Sequence, residues 1–229
     1  MFYVIPTPIG NSDDITLRAL KIFKEINLII TENTWTTKRL LTIHNIDYSD
    51  KKFIKFTSHD NHSIDYIISL LKNQDGILVS EAGTPWLSDP GKLLIVQSQQ
   101  ENIETTILPG STALIPAVIA SQFPTTHRSF YGFLPHKKGR EKYLTQMMNA
   151  EHASFFYESV HRIGKLIEQL EKIWFSGKIS IGREISKKFE QFITTDISSF
   201  KDMLEKNIIA LKWEFVIGLY PTTADEEEE

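Results

Sequence analysis

The chain has 229 residues, 41% of them hydrophobic, with 25 basic and 29 acidic side chains and no cysteine. That length holds one large or two small α/β domains whose core needs no disulfide, and the missing thiols exclude disulfide frameworks, cysteine–zinc sites and thiol catalysis. The net charge of −4 argues weakly against a nucleic-acid partner, but the terminal run 225–229 carries five of the acids, and the remainder balances at 25 to 24; RNA binding would then need a local basic patch.

In chain order, an apolar run predicts a strand over 2–7, followed by turn residues. Helical spacing of Leu17, Leu20, Phe23 and Lys24 predicts a helix over 16–26, with Asp13 or Asp14 as cap. A strand at 28–30, a helix at 36–43, a strand at 53–56 and a helix at 63–72 come next, then a strand at 76–80, a helix at 92–100, a strand at 103–108 and a helix beginning within PGSTALIPAVIA. Strand–helix alternation with short loops predicts a mainly parallel sheet. The polar stretch 121–128, SQFPTTHR, reads as a linker. Beyond it, strands are expected at 129–133, 154–157, 179–183, 191–194 and 208–219, and helices at 141–149, 163–173 and 197–205; adjacent strands near 179–194 point to a mixed or antiparallel sheet. The expected division is 1–120, 121–221 and an acidic disordered tail 222–229. The opening FYVIPTPIG has no basic stretch before a long apolar run, and no window approaches about 18 apolar residues, so neither a signal peptide nor a membrane span is expected and a cytoplasmic location is the default.

Three Gly/Pro-rich loops each follow an apolar strand: PTPIG at 6–10, the segment 81–91, and PGST at 109–112. In an open α/β sheet, ligands bind outside the carboxyl ends of strands, so these loops can converge on one crevice. Glycine admits close backbone approach and proline fixes loop shape. Neither GxxxxGK[ST] nor GxGxxG occurs, which argues against NTP hydrolysis and a nicotinamide cofactor. His59 and His62 read as a polar helix start rather than a metal pair.

PTPIGN at 6–11, DITLRAL at 14–20, SEAGTPWLSDPG at 80–91, LPGSTAL at 108–114, FYGFLPHKKGR at 130–140, FYESVHR at 156–162 and REISK at 183–187 together resemble the tetrapyrrole methylase superfamily. Within it the likeness is greatest to the 16S rRNA cytidine 2′-O-methyltransferases, and it covers about residues 1–220. The resemblance implies a two-domain α/β fold, with a mainly parallel N-terminal sheet and a mixed C-terminal sheet. It implies S-adenosylmethionine held in a cleft between the domains, a homodimer, and no metal. By motif position the cofactor would meet Pro8, Gly83, Thr84, Pro85, Ser111, Thr112, Ala113 and Leu134. The chain departs from the branch at named places: SDAGTP becomes SEAGTP with Glu81, and EDTR becomes Glu32-Asn33-Thr34-Trp35. LPGPSAL becomes LPGSTAL, and FYESPHR becomes FYESVHR.

Methylation of a ribose 2′-OH needs in-line positioning and a route for the proton; a general base adds about 10²–10⁴-fold. Glu32, Glu81 and Glu158 follow apolar strands and are the candidate bases, and Arg162 and Arg183 are the candidate stabilisers of a developing alkoxide. Glu158 and Arg162, four apart, could instead pair at a helix start, and Arg183 and Glu184 could form an ion pair between domains. The run His136-Lys137-Lys138-Gly139-Arg140-Glu141-Lys142 is the best basic patch, with Lys137, Lys138 and Arg140 as candidate RNA contacts. Tyr131, Phe133 and Tyr157 read as core more readily than as base-stacking residues, while Trp35 and Trp86, in expected loops, are candidates to meet substrate or cover the cofactor. The leading functional reading is rRNA 2′-O-methylation. The alternatives are a methyltransferase acting on a small tetrapyrrole-like molecule and a non-catalytic module binding S-adenosylmethionine or RNA.

Overall fold

The computed structural model describes residues 1–56, 61–85, 91–124, 126–209, 212 and 214–222. The chain divides into two units, Met1–Thr112 and Ala113–Glu229. The expected histidine at 59, Trp86 and the acidic run 225–229 lie outside the described residues.

In the first unit, β1 (Phe2–Val4), β2 (Leu28–Thr31), β3 (Lys52–Lys55), β4 (Gly76–Val79) and β5 (Thr105–Ile107) form a sheet in the order β3-β2-β4-β1-β5, every pairing parallel. The helices are α1 (Leu17–Glu25), α2 (Thr34–Ile43), α3 (Asn61–Leu71) and α4 (Lys92–Gln100). β2 and β4 are buried on both faces, which is why they read as continuous apolar runs, LIIT and GILV. Alternate side chains divide between two cores. Phe2, Val4, Leu28, Ile30 and Leu78 pack with Ile67, Leu71 and Leu94 of α3 and α4; Ile29, Ile77 and Val79 pack with Ala19, Phe23 and Leu41 of α1 and α2.

Two local expectations are corrected here. Thr16, not an aspartate, caps α1, its side chain accepting the Ala19 N–H. Extended Ile15 separates the helix from Asp13 and Asp14, which sit in a 3-10 turn capped by Asn11. Leu17 is 86% exposed; Ala19, Ile22 and Phe23 make the buried face.

In the second unit, β6 (Arg128–Phe133), β7 (Ala153–Glu158), β8 (Gly177–Arg183), β9 (Gln191–Asp196) and β10 (Phe215–Pro221) form a mixed sheet in the order β6-β7-β10-β8-β9. Only β6 and β7 pair in parallel. Its helices are α5 (Leu114–Ser121), α6 (Arg140–Met148), α7 (Ile163–Lys172) and α8 (Ile197–Glu205). Leu144, Met147, Leu166, Leu170 and Phe200 of α6, α7 and α8 pack on Phe156, Ile181 and Ile217. On the other side Val118 of α5 meets Phe123 and Phe155. Because α5 packs on β8, β9 and β10, the division falls at Thr112/Ala113, ahead of the polar stretch 121–128. The strand expected over 208–219 is only β10. Asn207, at φ 55°, closes α8, and the Ile208 N–H returns to the Met203 carbonyl at 2.9 Å. Among the described residues, no helix is long and apolar enough to cross a membrane.

Asp196 caps α8, accepting the Ser199 N–H at 2.7 Å and the Ser198 hydroxyl at 2.6 Å. The Ser198 hydroxyl, then the Ser199 N–H and hydroxyl, hold its carboxyl down at about 2, against 3.8 for a free aspartate. A depressed folded pKa contributes stability above the unfolded value, and that contribution is lost as pH falls from about 4 to 2. Asp196→Ala is therefore expected to cost ~1 kcal/mol at pH 5, with the gap to the parent closing by pH 2 in urea titrations.

Candidate active site

Parallel strands deliver all their following loops to one end of the first sheet, and here those loops are tied to one another. Thr7 and Gly83 exchange both backbone hydrogen bonds at 2.9 Å. The Thr7 hydroxyl donates to the Ser80 carbonyl at 3.3 Å, and the Ser80 hydroxyl to the Gly83 carbonyl at 3.0 Å. The third loop joins through Thr84, whose hydroxyl donates to the Ser111 carbonyl at 3.1 Å, and through the Ser111 hydroxyl, which donates to the Asp14 carbonyl at 2.7 Å. Gly83 holds φ at +81°, and a Cβ there would sit 3.4 Å from Ile9 Cγ2, in the gap between the loops. At Gly110 a Cβ would lie 2.7 Å from Pro6 Cβ, so only glycine lets these two loops approach so closely. Pro85 is buried; Pro8, Thr84, Ser111 and Thr112 are half-buried.

Glu32, just after β2, and Glu81, just after β4, meet beside the start of α2. The Glu81 N–H donates to Glu32 Oε2 at 3.4 Å. Glu81 Oε1 accepts from Asn33 Nδ2 at 3.2 Å and from the Thr36 hydroxyl at 3.3 Å. Asn33 is also the N-cap of α2, accepting the N–H groups of Trp35 and Thr36. Glu81 and Asn33 are both positions where the chain departs from the SDAGTP and EDTR patterns, and the two departures touch. Next to them lies a cavity of about 230 Å³ lined by Thr7, Pro8, Thr36, Leu40, Ile43 and Glu81, with Arg39 at its edge. Trp35 belongs to the first turn of α2 rather than to a loop; it is 67% exposed, and the Arg39 guanidinium lies 5.6 Å from its ring centre. Sequence reasoning missed Asn33, Thr36 and Arg39. Asn33 followed by Thr-Trp-Thr-Thr was a readable N-cap signal, but its bond to Glu81, 48 residues away, was not.

The second unit treats its candidates differently. Glu158 ends β7 with no solvent exposure. Arg140 Nη2 and Arg162 Nε, the latter at 2.6 Å, flank its carboxylate, and the Ser159 N–H donates to Oε1 at 2.9 Å. A carboxylate so enclosed is a structural anchor and has no path to a substrate proton. Arg140 is also removed from the basic patch: it is 2% exposed, and its Nε donates to Gln169 at 2.8 Å. The reason is position. It opens α6, where the left-handed Gly139 turns the chain inward, while His136, Lys137, Lys138 and Lys142 remain on the surface. Arg162 Nη1 donates to the carbonyl of buried Leu134 at 3.0 Å, fixing the loop after β6. Arg183 pairs with Glu184 at 2.5 Å and also reaches Gln191, all within the second unit. Ala113 precedes α5 there. Tyr131 packs edge-on to Tyr143, and Tyr157 lies between Phe130 and Phe133; Tyr131 and Tyr157 are half-buried, while Phe133 is 39% exposed and not part of the core. Among the described residues, no cluster of His, Asp or Glu has a metal-binding arrangement.

A parallel sheet whose strand ends carry interlocked Gly/Pro loops, followed by a mixed sheet, is the fold of the methyltransferases to which solved structures compare. The chain superposes on diphthine synthase with a TM-score of 0.73 at 11% identity, covering 99% of this chain and 92% of that one. It superposes on cobalt precorrin-4 methyltransferase with a TM-score of 0.68 at 14% identity, covering 95% and 93%. Residues 1–201 match the tetrapyrrole (corrin/porphyrin) methylases, and the chain belongs to that family of methyltransferases. A relative from Hydrogenobaculum sp. (strain Y04AAS1), ribosomal RNA small subunit methyltransferase I, is 38% identical over 208 residues, 89% of this chain and 87% of that protein. The protein of the same name from Mycoplasmopsis pulmonis is 34% identical over 217 residues, 94% of this chain and 95% of that one.

Proposed function

We propose that the chain transfers a methyl group from S-adenosylmethionine to the ribose 2′-OH of a cytidine in small-subunit ribosomal RNA, in the cytoplasm. The observation that carries the donor site is the three-loop tie of Thr7, Gly83 and Ser111. It sets backbone groups of three loops together at the carboxyl ends of parallel strands, the place where an open α/β sheet binds ligands. The names of relatives sharing most of their length with this chain support the RNA substrate.

Pro8, Gly83, Thr84, Pro85, Ser111 and Thr112 would hold the donor, which when bound supplies an activated methyl on a sulfonium. The chain's own part is positioning and proton handling. With Glu158 enclosed, the remaining candidate bases are Glu81, which lines the cavity, and Glu32, which accepts the Glu81 N–H beside it; Glu32 is the one we assign to accept the 2′-OH proton. Lys137 and Lys138, exposed beside Gly139, grip phosphate. A homodimer fits the strip of Ile115 and Ile119 on α5, 53% and 73% exposed.

The test is incubation with labelled donor and unmethylated small ribosomal subunits, followed by mapping. Label at a cytidine 2′-O position is expected; donor binding by calorimetry without transfer to RNA would instead indicate a binding module. Replacing Lys137 and Lys138 by Ala should lower RNA affinity and reduce the salt dependence by about two phosphate contacts, with donor affinity unchanged. An equal fall in donor affinity would disprove the assignment of that segment.

A further inference from the structure

We propose that the cavity beside α2 is the pocket for the target base, and that Glu81 recognises cytosine there by accepting a hydrogen bond from its exocyclic amino group. This rests on the RNA reading above.

The size comes first. About 230 Å³ is below the roughly 300 Å³ at which pockets for drug-sized ligands begin. The space suits one planar ring rather than a whole nucleoside–amino-acid donor. The lining is mixed: Pro8, Leu40 and Ile43 give apolar wall, hydroxyls come from Ser12, Thr36 and Ser80, and Arg39 and Glu81 give the two charged groups.

The chemistry follows from how Glu81 is held. Its Oε1 takes both the Asn33 amide and the Thr36 hydroxyl, so the carboxylate is fixed at the start of α2. Among the described residues, none donates to Oε2. An ionised carboxylate only accepts, so the open oxygen selects a donor. Cytosine presents an amino group at the position where uracil presents a carbonyl, and acidic side chains read cytosine in this way. Arg39 also lines the cavity, but among the described residues it forms no ion pair with Glu81; its guanidinium lies 5.6 Å from the Trp35 ring centre. That exposed pair is a platform for a neighbouring unstacked base. The departure at position 33 is what permits the arrangement, because an aspartate there would set carboxylate against carboxylate.

The experiment uses the full chain and small subunits assembled on transcribed RNA, with the mapped target left as cytidine or changed to uridine. The parent enzyme should prefer cytidine by roughly tenfold to a hundredfold. Glu81→Gln, whose amide can donate to the uracil carbonyl, should narrow that ratio by losing rate on cytidine and gaining it on uridine. Glu81→Ala should lose rate on cytidine without the gain. Melting curves confirm that the variants fold, since Glu81 is exposed. A Glu81→Gln enzyme that keeps the parental ratio overturns the proposal while leaving RNA methylation intact. A parent enzyme that labels no RNA overturns the functional reading itself, and this inference with it.

Discussion

Glu158→Ala is expected to destabilise the second unit by about 3–5 kcal/mol, the cost of leaving buried charge unpaired. The substitution removes the one acid between two guanidiniums, with Arg140 2% exposed and Arg162 partly buried. Neither can follow the charge to water, because Arg140 is held by Gln169 and Arg162 by the Leu134 carbonyl. Among the described residues, Arg140 Nη1 already has no hydrogen-bond partner, so these residues offer no spare acceptor. Thermal unfolding should fall on the order of 10 °C. Glu158→Gln, which keeps the shape and loses the charge, should fall between. Arg162→Ala should cost less, because Arg162 retains some exposure and its loss leaves the Arg140–Glu158 pair intact. Equal melting temperatures for the parent and Glu158→Ala would refute the anchor.

Gly110→Ala should weaken donor binding by about ten- to a hundredfold while leaving the fold largely in place. The added Cβ would sit 2.7 and 2.9 Å from two ring atoms of Pro6, and a proline ring cannot rotate away. The loop must shift instead, carrying with it the Ser111 carbonyl that Thr84 binds and the Ser111 hydroxyl that binds Asp14. Small misplacements of binding loops cost affinity and rate steeply. Calorimetric titration with S-adenosylmethionine reads the effect directly; an unchanged affinity would remove these loops from the donor site.

The alternation of short apolar runs with helical stretches and turn residues made both sheets legible, with doubly buried strands such as LIIT and GILV reading as continuous apolar runs. The three Gly/Pro loops were readable because Gly and Pro mark backbone constraints locally. What stayed hidden depended on distant partners. Arg140 looked like part of a basic patch until β7 placed Glu158 beside it. The bond between Asn33 and Glu81 likewise joins two loops that only the parallel sheet brings together.

The tie of the three loops runs through main-chain amides and carbonyls, with small hydroxyls as fasteners. A grip of that kind is indifferent to most side-chain identities and intolerant of altered backbone shape. Substitutions such as the Ser-Thr pair in LPGSTAL can accumulate around it at little cost, while Gly83 and Gly110 cannot be exchanged. Mutational tolerance across this chain should then be sharply uneven: permissive over most of the donor loops, and abruptly closed at two residues that carry no side chain at all.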